Sequence, residues 1–236
     1  MITICFIIFA IVLCYLIYNF NIDTQDQKQF DDMAQTIVID ETDNDNDNND
    51  DNGIVDLVNK NSDCIGWIRI DGTKIDYPIM QTKDNPQYYL RRDFEEQYSL
   101  AGTPFLDVRS SPADSRNLII HGHNMKDGSM FAPLRFYLEK EYGLEHSSFE
   151  LSFADGVRRY ALMAVLHIEL TPENVEQYYK QPQTQEAFEA FVEMLEQESL
   201  YCGGAGAQWG EQLLTLSTCD NQRDNGRILV VARETK

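Results

Sequence analysis

A chain of 236 residues with 43% apolar and 11% aromatic side chains carries enough hydrocarbon for one sizeable core, and its formal charge of -20 excludes the basic face that nucleic-acid binding requires. Half of that charge is local, because residues 23–52 hold eleven acidic side chains against Lys28 alone. The five cysteines, at 5, 14, 64, 202 and 219, form no CxxC pair and no zinc spacing, so neither a disulfide framework nor a metal-binding module is indicated.

The chain opens on an almost unbroken apolar run from Ile2 to Tyr18, roughly 26 Å long as a helix and just sufficient to cross a bilayer core. It lacks the basic leader and small-x-small cleavage site of a signal peptide, so residues 1–20 predict a transmembrane anchor with the bulk of the chain outside. Residues 21–53 predict an acidic disordered linker, most clearly over 40–53, where Asp and Asn dominate and no apolar surface can be buried. Its end, Asn48-x-Asp50-x-Asn52-Gly53, has the start of a calcium loop, but Asn59 stands where a bidentate Glu is required. The catalytic domain is expected over 54–236.

Ile54, Val55, Leu57 and Val58 predict a short helix, after which Gly66–Ile70 and Lys74–Tyr77 flank the turn dipeptide Asp71-Gly72 as a hairpin. Asn85 is placed to cap a helix opened by Pro86, and Met130, Leu134 and Tyr137 keep helical spacing. Further β runs lie at 103–108, 117–121, 149–153, 157–170, 213–218 and 227–233. Phe188, Phe191, Val192 and Leu195 fall at i, i+3, i+4 and i+7, which predicts a helix over 184–200 with one face packed on the sheet. About eight strands, too short and too evenly spread for a parallel α/β sheet, give a mainly β fold: a mostly antiparallel barrel with helical insertions.

The run from Leu213 to Cys219 alternates so that Thr215, Ser217 and Cys219 share one face, as in a strand that delivers a thiol to its exposed end. A structural cysteine would instead pack as a small hydrophobe, so a nucleophile needs a base and a charge-stabilising group nearby. His121 and His123 sit in Asn117–Met125, where a strand running into Gly122 presents His123 at its mouth; the His-Gly-His pair has no third ligand at a familiar spacing, and no metal is assigned. His167, within an apolar strand, reads as a satisfied core or edge residue, and His146 as surface. Arg227 opens the last strand eight residues past Cys219, so a turn over 220–226 can lay its guanidinium near the sulfur, unless a carboxylate claims it; Arg233 is roughly 20 Å farther along.

With TLSTC, the upstream IIHGHNMKDGSMF and the trailing RILVVAR in this order, the chain resembles the sortases, class B members in particular, over essentially residues 54–236. DCIGWIRIDGTKIDYPIMQ and AGTPFLDVR extend the likeness. The resemblance implies an eight-stranded sortase-type β-barrel with an N-terminal helical region and a long helix before the seventh strand. It places the nucleophile on Cys219, the histidine on His123 and the arginine on Arg227, with substrate contacts at Ser217 and Asn85; His121 stands where relatives often carry an aromatic. It also implies a membrane-anchored cysteine transpeptidase on the extracellular face of a Gram-positive-type cell, with no cofactor. Such an enzyme would cleave an NPxT-like C-terminal sorting signal of secreted proteins through a thioacyl enzyme and join them to a cell-wall amine of a peptidoglycan precursor or cross-bridge. Pilus polymerisation, with a pilin lysine as the amine, and peptidase action, with water as acceptor, use the same side chains and stay open. Unperturbed groups would give thiolate and imidazolium together in only about 1% of molecules near pH 7, a fraction that Asp220 would lower if it faced the sulfur and Arg227 would raise.

Overall fold

The computed structural model describes residues 27–37 and 53–235, together with Ile8, Phe9, Val12 and Leu13. Nine strands lie in the latter stretch: β1 (Cys64–Arg69), β2 (Asp76–Met80), β3 (Phe105–Leu106), β4 (Asn117–His121), β5 (Ser148–Phe153), β6 (Gly156–Glu169), β7 (Tyr201–Cys202), β8 (Leu213–Cys219) and β9 (Gly226–Thr235). They hydrogen-bond in the order β5-β1-β2-β3-β4-β8-β9-β6, and β5 pairs again with β6, which closes an eight-stranded barrel; β7 lies outside the ring on β6. Two pairings, β2 with β3 and β4 with β8, are parallel, and the rest are antiparallel.

Local chemistry explains the corners. The β1–β2 hairpin turns at Gly72, whose φ of 74° is open to glycine at no steric cost, with Ile70 N–H donating to Ile75 O at 2.9 Å. The 14-residue β6 pairs with β5 over residues 156–161 and with β9 over residues 159–169, with a register shift between Leu162 and Ala164.

Period-two alternation sorts side chains into two cores. Ile68, Leu118, Ile120, Leu214, Leu216, Ile228 and Val230 fill the barrel. Ile119, Leu213, Leu229 and Val231 point out, where they are covered by Phe188, Phe191, Val192 and Leu195 of helix Gln185–Gln197. That helix is shorter at each end than the expected 184–200, and Thr184 caps it by accepting from Ala187 N–H at 3.2 Å. It precedes β8, the seventh strand of the closed ring.

Three expectations are corrected. Asn85 does not cap a helix: residues Tyr88–Arg91 form a 3-10 turn with Gln87 at its start, and Asn85 contributes its main-chain carbonyl to Tyr88 N–H at 2.9 Å. The strand expected over 103–108 is only two residues, which pair with β2 at Phe105 and with β4 at Phe105 and Leu106. The linker expected over 21–53 is not all disordered, because residues 27–34 are helical and Phe30, Met33 and Ile37 enter the barrel-side core. No helix among the described residues is long and apolar enough to cross a membrane. The expected anchor, residues 1–20, lies outside the described residues but for four positions, as does the linker over 38–52.

Candidate active site

Cys219 ends β8 and Arg227 is the second residue of β9, and the two stand directly opposite each other in the antiparallel register. The turn between them is tight: Asp220 N–H donates to Gly226 O at 2.9 Å and Gly226 N–H to Arg223 O at 3.1 Å. On the other flank of β8 the parallel β4 brings His121 opposite Ser217, and Gly122 N–H donates to Ser217 O at 3.2 Å. A side chain at Gly122 would meet the Phe131 ring at 2.6 Å, so only glycine lets the chain pass here and present His123.

Side-chain donors bonded to main-chain carbonyls then fix His123 relative to Cys219. Thr218 Oγ1 donates to Gly122 O at 2.8 Å, Asn124 Nδ2 donates to Cys219 O at 2.8 Å, and Asn221 Nδ2 donates to Asn124 O at 2.9 Å. His123 Nε2 lies 2.9 Å from Leu90 O. A carbonyl only accepts, so Nε2 carries the proton and Nδ1 holds the lone pair when the ring is neutral. Burial pulls the His123 pKa below its ordinary value; the Leu90 carbonyl opposes this, and Arg91 and Arg227 add to the lowering.

Among the described residues no carboxylate ion-pairs with Arg227, whose Nη1 donates to Gly226 O at 3.1 Å. Its charge is therefore available to the cleft. Arg233, the alternative, is occupied elsewhere with Ala205 O and Glu211. Cys219 is a free, partly exposed thiol, whereas Cys64 is buried and burial pushes its thiol up to about 12, which leaves it inert.

These groups line a cleft of about 520 Å³ on the outer face of the barrel. His121, His123, Ser217, Cys219 and Arg227 line it, together with residues of the 86–90 segment and of the 170–179 segment. Ser217 is buried, and its hydroxyl shares a 2.6 Å hydrogen bond with Tyr179 OH. Asn85 is exposed and lies outside the lining, adjacent in sequence to Pro86.

The second imidazole has separate work. His121 Nε2 donates to Asp107 Oδ2 at 2.9 Å, and Arg109 grips the same carboxylate with Nε at 2.8 Å and Nη2 at 3.0 Å. Burial would raise the Asp107 pKa, but the bonds from His121 and Arg109 outweigh it and hold the carboxyl well below the usual range. Tyr179 packs edge-on against His121 with centroids 5.3 Å apart. His167, read as a satisfied residue, donates Nε2 to Asp220 Oδ2 at 2.8 Å.

The sequence reading missed Asp107, Tyr179, Asn124 and the Leu90 carbonyl. Asn124 adjoins His123 and could have been weighed with it. A main-chain carbonyl such as Leu90 O leaves no signal in residue type.

Comparison with known proteins bears on the same region. The family model described as the sortase domain matches residues 68–235. A sortase B of Listeria monocytogenes is 38% identical over 178 residues, 74% of this chain and 71% of the relative. The crystal structure of sortase B from Bacillus anthracis in complex with AAEK1 superposes with a TM-score of 0.77 at 28% identity, covering 92% of this chain and 99% of that one. A Staphylococcus aureus sortase B–substrate complex does so with a TM-score of 0.70 at 27% identity, covering 78% of this chain and 84% of that one.

Proposed function

Because this chain belongs to the sortase family of cysteine transpeptidases, and to its class B branch, we propose that Cys219, His123 and Arg227 are its catalytic residues in anchoring secreted proteins to the cell wall. The Cys219 thiolate attacks the carbonyl of the scissile bond in an NPxT-like sorting signal, forming a C–S bond and a tetrahedral oxyanion. Arg227 and nearby main-chain N–H groups stabilise that oxyanion. Collapse breaks the C–N bond, with His123 giving its proton to the departing amine, and leaves a thioester on Cys219. A cell-wall amine then attacks the thioester, His123 takes the amine's proton, and a new amide releases the enzyme.

The observation that carries this reading is the cross-strand pairing of Cys219 with Arg227, which has no carboxylate partner among the described residues, in one cleft with His123. An extended peptide can lie along the cleft with Ser217 and Tyr179 beneath it, and Asn85 is proposed as a contact at its rim. The residues 1–20 anchor would hold the enzyme at the outer membrane surface, where secreted substrates and lipid-linked wall precursors meet.

The test is to incubate the enzyme with a labelled NPxT-type peptide, with and without an oligoglycine amine, and to follow products and the mass of Cys219. An acyl adduct on Cys219 that the amine resolves into a new amide is expected. Product that never incorporates the amine would reject transpeptidation, and turnover by Cys219→Ala would reject the nucleophile.

A further inference from the structure

Next to the nucleophile lies a histidine–carboxylate hydrogen bond that the reaction above does not use. Asp220 follows Cys219 directly; its Oδ2 accepts from His167 Nε2 at 2.8 Å and its Oδ1 from Gln222 N–H at 2.9 Å. The pair is mostly enclosed, with side chains 14% and 12% exposed. Arg223, a cation close to this carboxylate, is 3.9 Å away and largely exposed, so it holds it weakly.

Strand alternation says where this pair sits. His167 on β6 is opposite Ile228 on β9, which is opposite Thr218 on β8. Ile228, Leu216 and Val165, each two residues from a member of that row or within it, point into the barrel. His167 and Asp220 therefore meet at the barrel's inner mouth, whereas Cys219, one residue from Asp220, opens on the outer cleft. Burial would raise the Asp220 pKa, but the Gln222 N–H, His167 and Arg223 together lower it, so a full negative charge is present at neutral pH.

We propose that His167 is a positioning residue for transpeptidation: by holding the Asp220 carboxylate at the inner mouth of the barrel, it keeps that charge away from the Cys219 sulfur. The inference rests on Cys219 being the nucleophile. Asp220 begins the turn, where a side-chain rotation or a small flex of the turn can bring its carboxylate toward the neighbouring thiol. A like charge within about 4–6 Å disfavours the thiolate. His167 reaches Asp220 from a different strand, so its grip survives motion of the turn itself.

The test compares His167→Ala, His167→Gln and His167→Ala/Asp220→Asn in the full chain. Alkylation of Cys219 by iodoacetamide is followed across pH by site-resolved mass spectrometry, beside kcat/KM. His167→Ala is expected to move the alkylation midpoint to higher pH and to slow the reaction at pH 7 by about three- to tenfold. His167→Gln keeps an N–H donor for Asp220 and should stay within about twofold of the parent, and the double variant, lacking the charge, should return to it. An unchanged midpoint in His167→Ala would overturn the proposal, as would a double variant as slow as His167→Ala. Should His167→Ala fail to fold by circular dichroism, His167→Phe fills the site without a donor and is held to the same outcomes. Turnover in Cys219→Ala reports separately on the nucleophile, since the alkylation midpoint is read on Cys219 whatever its role.

Discussion

Leu90 fixes the proton of His123 on Nε2, and burial with two nearby guanidinium groups makes the imidazolium harder to form than in an unperturbed histidine. Arg91→Gln removes one of those cations, so the His123 midpoint should rise, read as the pH dependence of its imidazole resonances by NMR. For Arg227, replacement by Lys keeps charge but loses the planar fork, and the acylation rate should fall about 10²- to 10³-fold, the usual cost of an oxyanion donor, while peptide binding changes little. Asp107 contributes to stability, not to the chemistry proposed for Cys219. Its pKa is depressed in the folded chain, so its contribution is present above the ordinary carboxylate pKa of about 3.9 and is lost as pH falls through the folded value. Asp107→Asn should forfeit it at neutral pH, lowering stability by about 2–4 kcal/mol, checked by urea denaturation at pH 7, and the gap to the parent should narrow at the acid end. That Cys219, His123 and Arg227 would face one cleft was legible because Cys219 and Arg227 stand at facing strand ends and His123 lies two residues past the end of β4. The Asp220 question could not be answered there, since strand alternation separates its face from that of Cys219 but does not name His167 as its partner.

The β4 and β8 exits are stitched together by side chains of their own loops: Asn124 reaches the Cys219 carbonyl and Asn221 returns to the Asn124 carbonyl. Because the two bonds form one closed link, removing either frees both loops. Asn124→Ala and Asn221→Ala should each reduce kcat/KM, and the double variant should lose less than the two losses together, with a coupling of about 0.5–1 kcal/mol in a double-mutant cycle. A purely additive pair would show that the bonds act independently. Helix Gln185–Gln197 was the most legible element, since Phe188, Phe191, Val192 and Leu195 repeat at helical spacing and Thr184 supplies a cap. The shortness of β3 within the run expected over 103–108, and the 3-10 turn at Tyr88–Arg91, were not, because both are set by contacts with other segments more than by local preference. Asn85-Pro86 has the chemistry of a helix start, yet the chain turns there into 3-10 geometry, with Thr82 Oγ1 and Tyr88 N–H both donating to the Asn85 carbonyl.

The barrel's stability extends beyond the segment that carries its catalytic motifs. Residues 27–34 form a helix whose Phe30 is fully buried, edge-on to Tyr77 with ring centroids 5.4 Å apart, and Gln27 Oε1 accepts from Tyr77 OH at 3.3 Å. Tyr77 OH also accepts from Met130 N–H at 3.1 Å, so this helix, strand β2 and the loop after His123 meet at one side chain. The spacing of Phe30, Met33, Ala34 and Ile37 was a helical signal in plain view, masked by the acidic residues around it, which set the average composition of the stretch but leave one apolar face intact. Ending the linker at residue 53 therefore assigns part of the core to the tether. Phe30→Ala should cost about 3 kcal/mol, the usual loss for a buried phenyl ring. A chain beginning at residue 54 should lose more, because it uncovers the whole surface under Phe30, Met33 and Ile37; a chain beginning at residue 24 should melt with the full-length protein. Calorimetry of the three resolves it: equal melting temperatures for chains starting at 24 and 54 would mean that this helix rests on the barrel without stabilising it, whereas a drop of several degrees for the shorter chain alone would place the true start of the folded domain before Phe30.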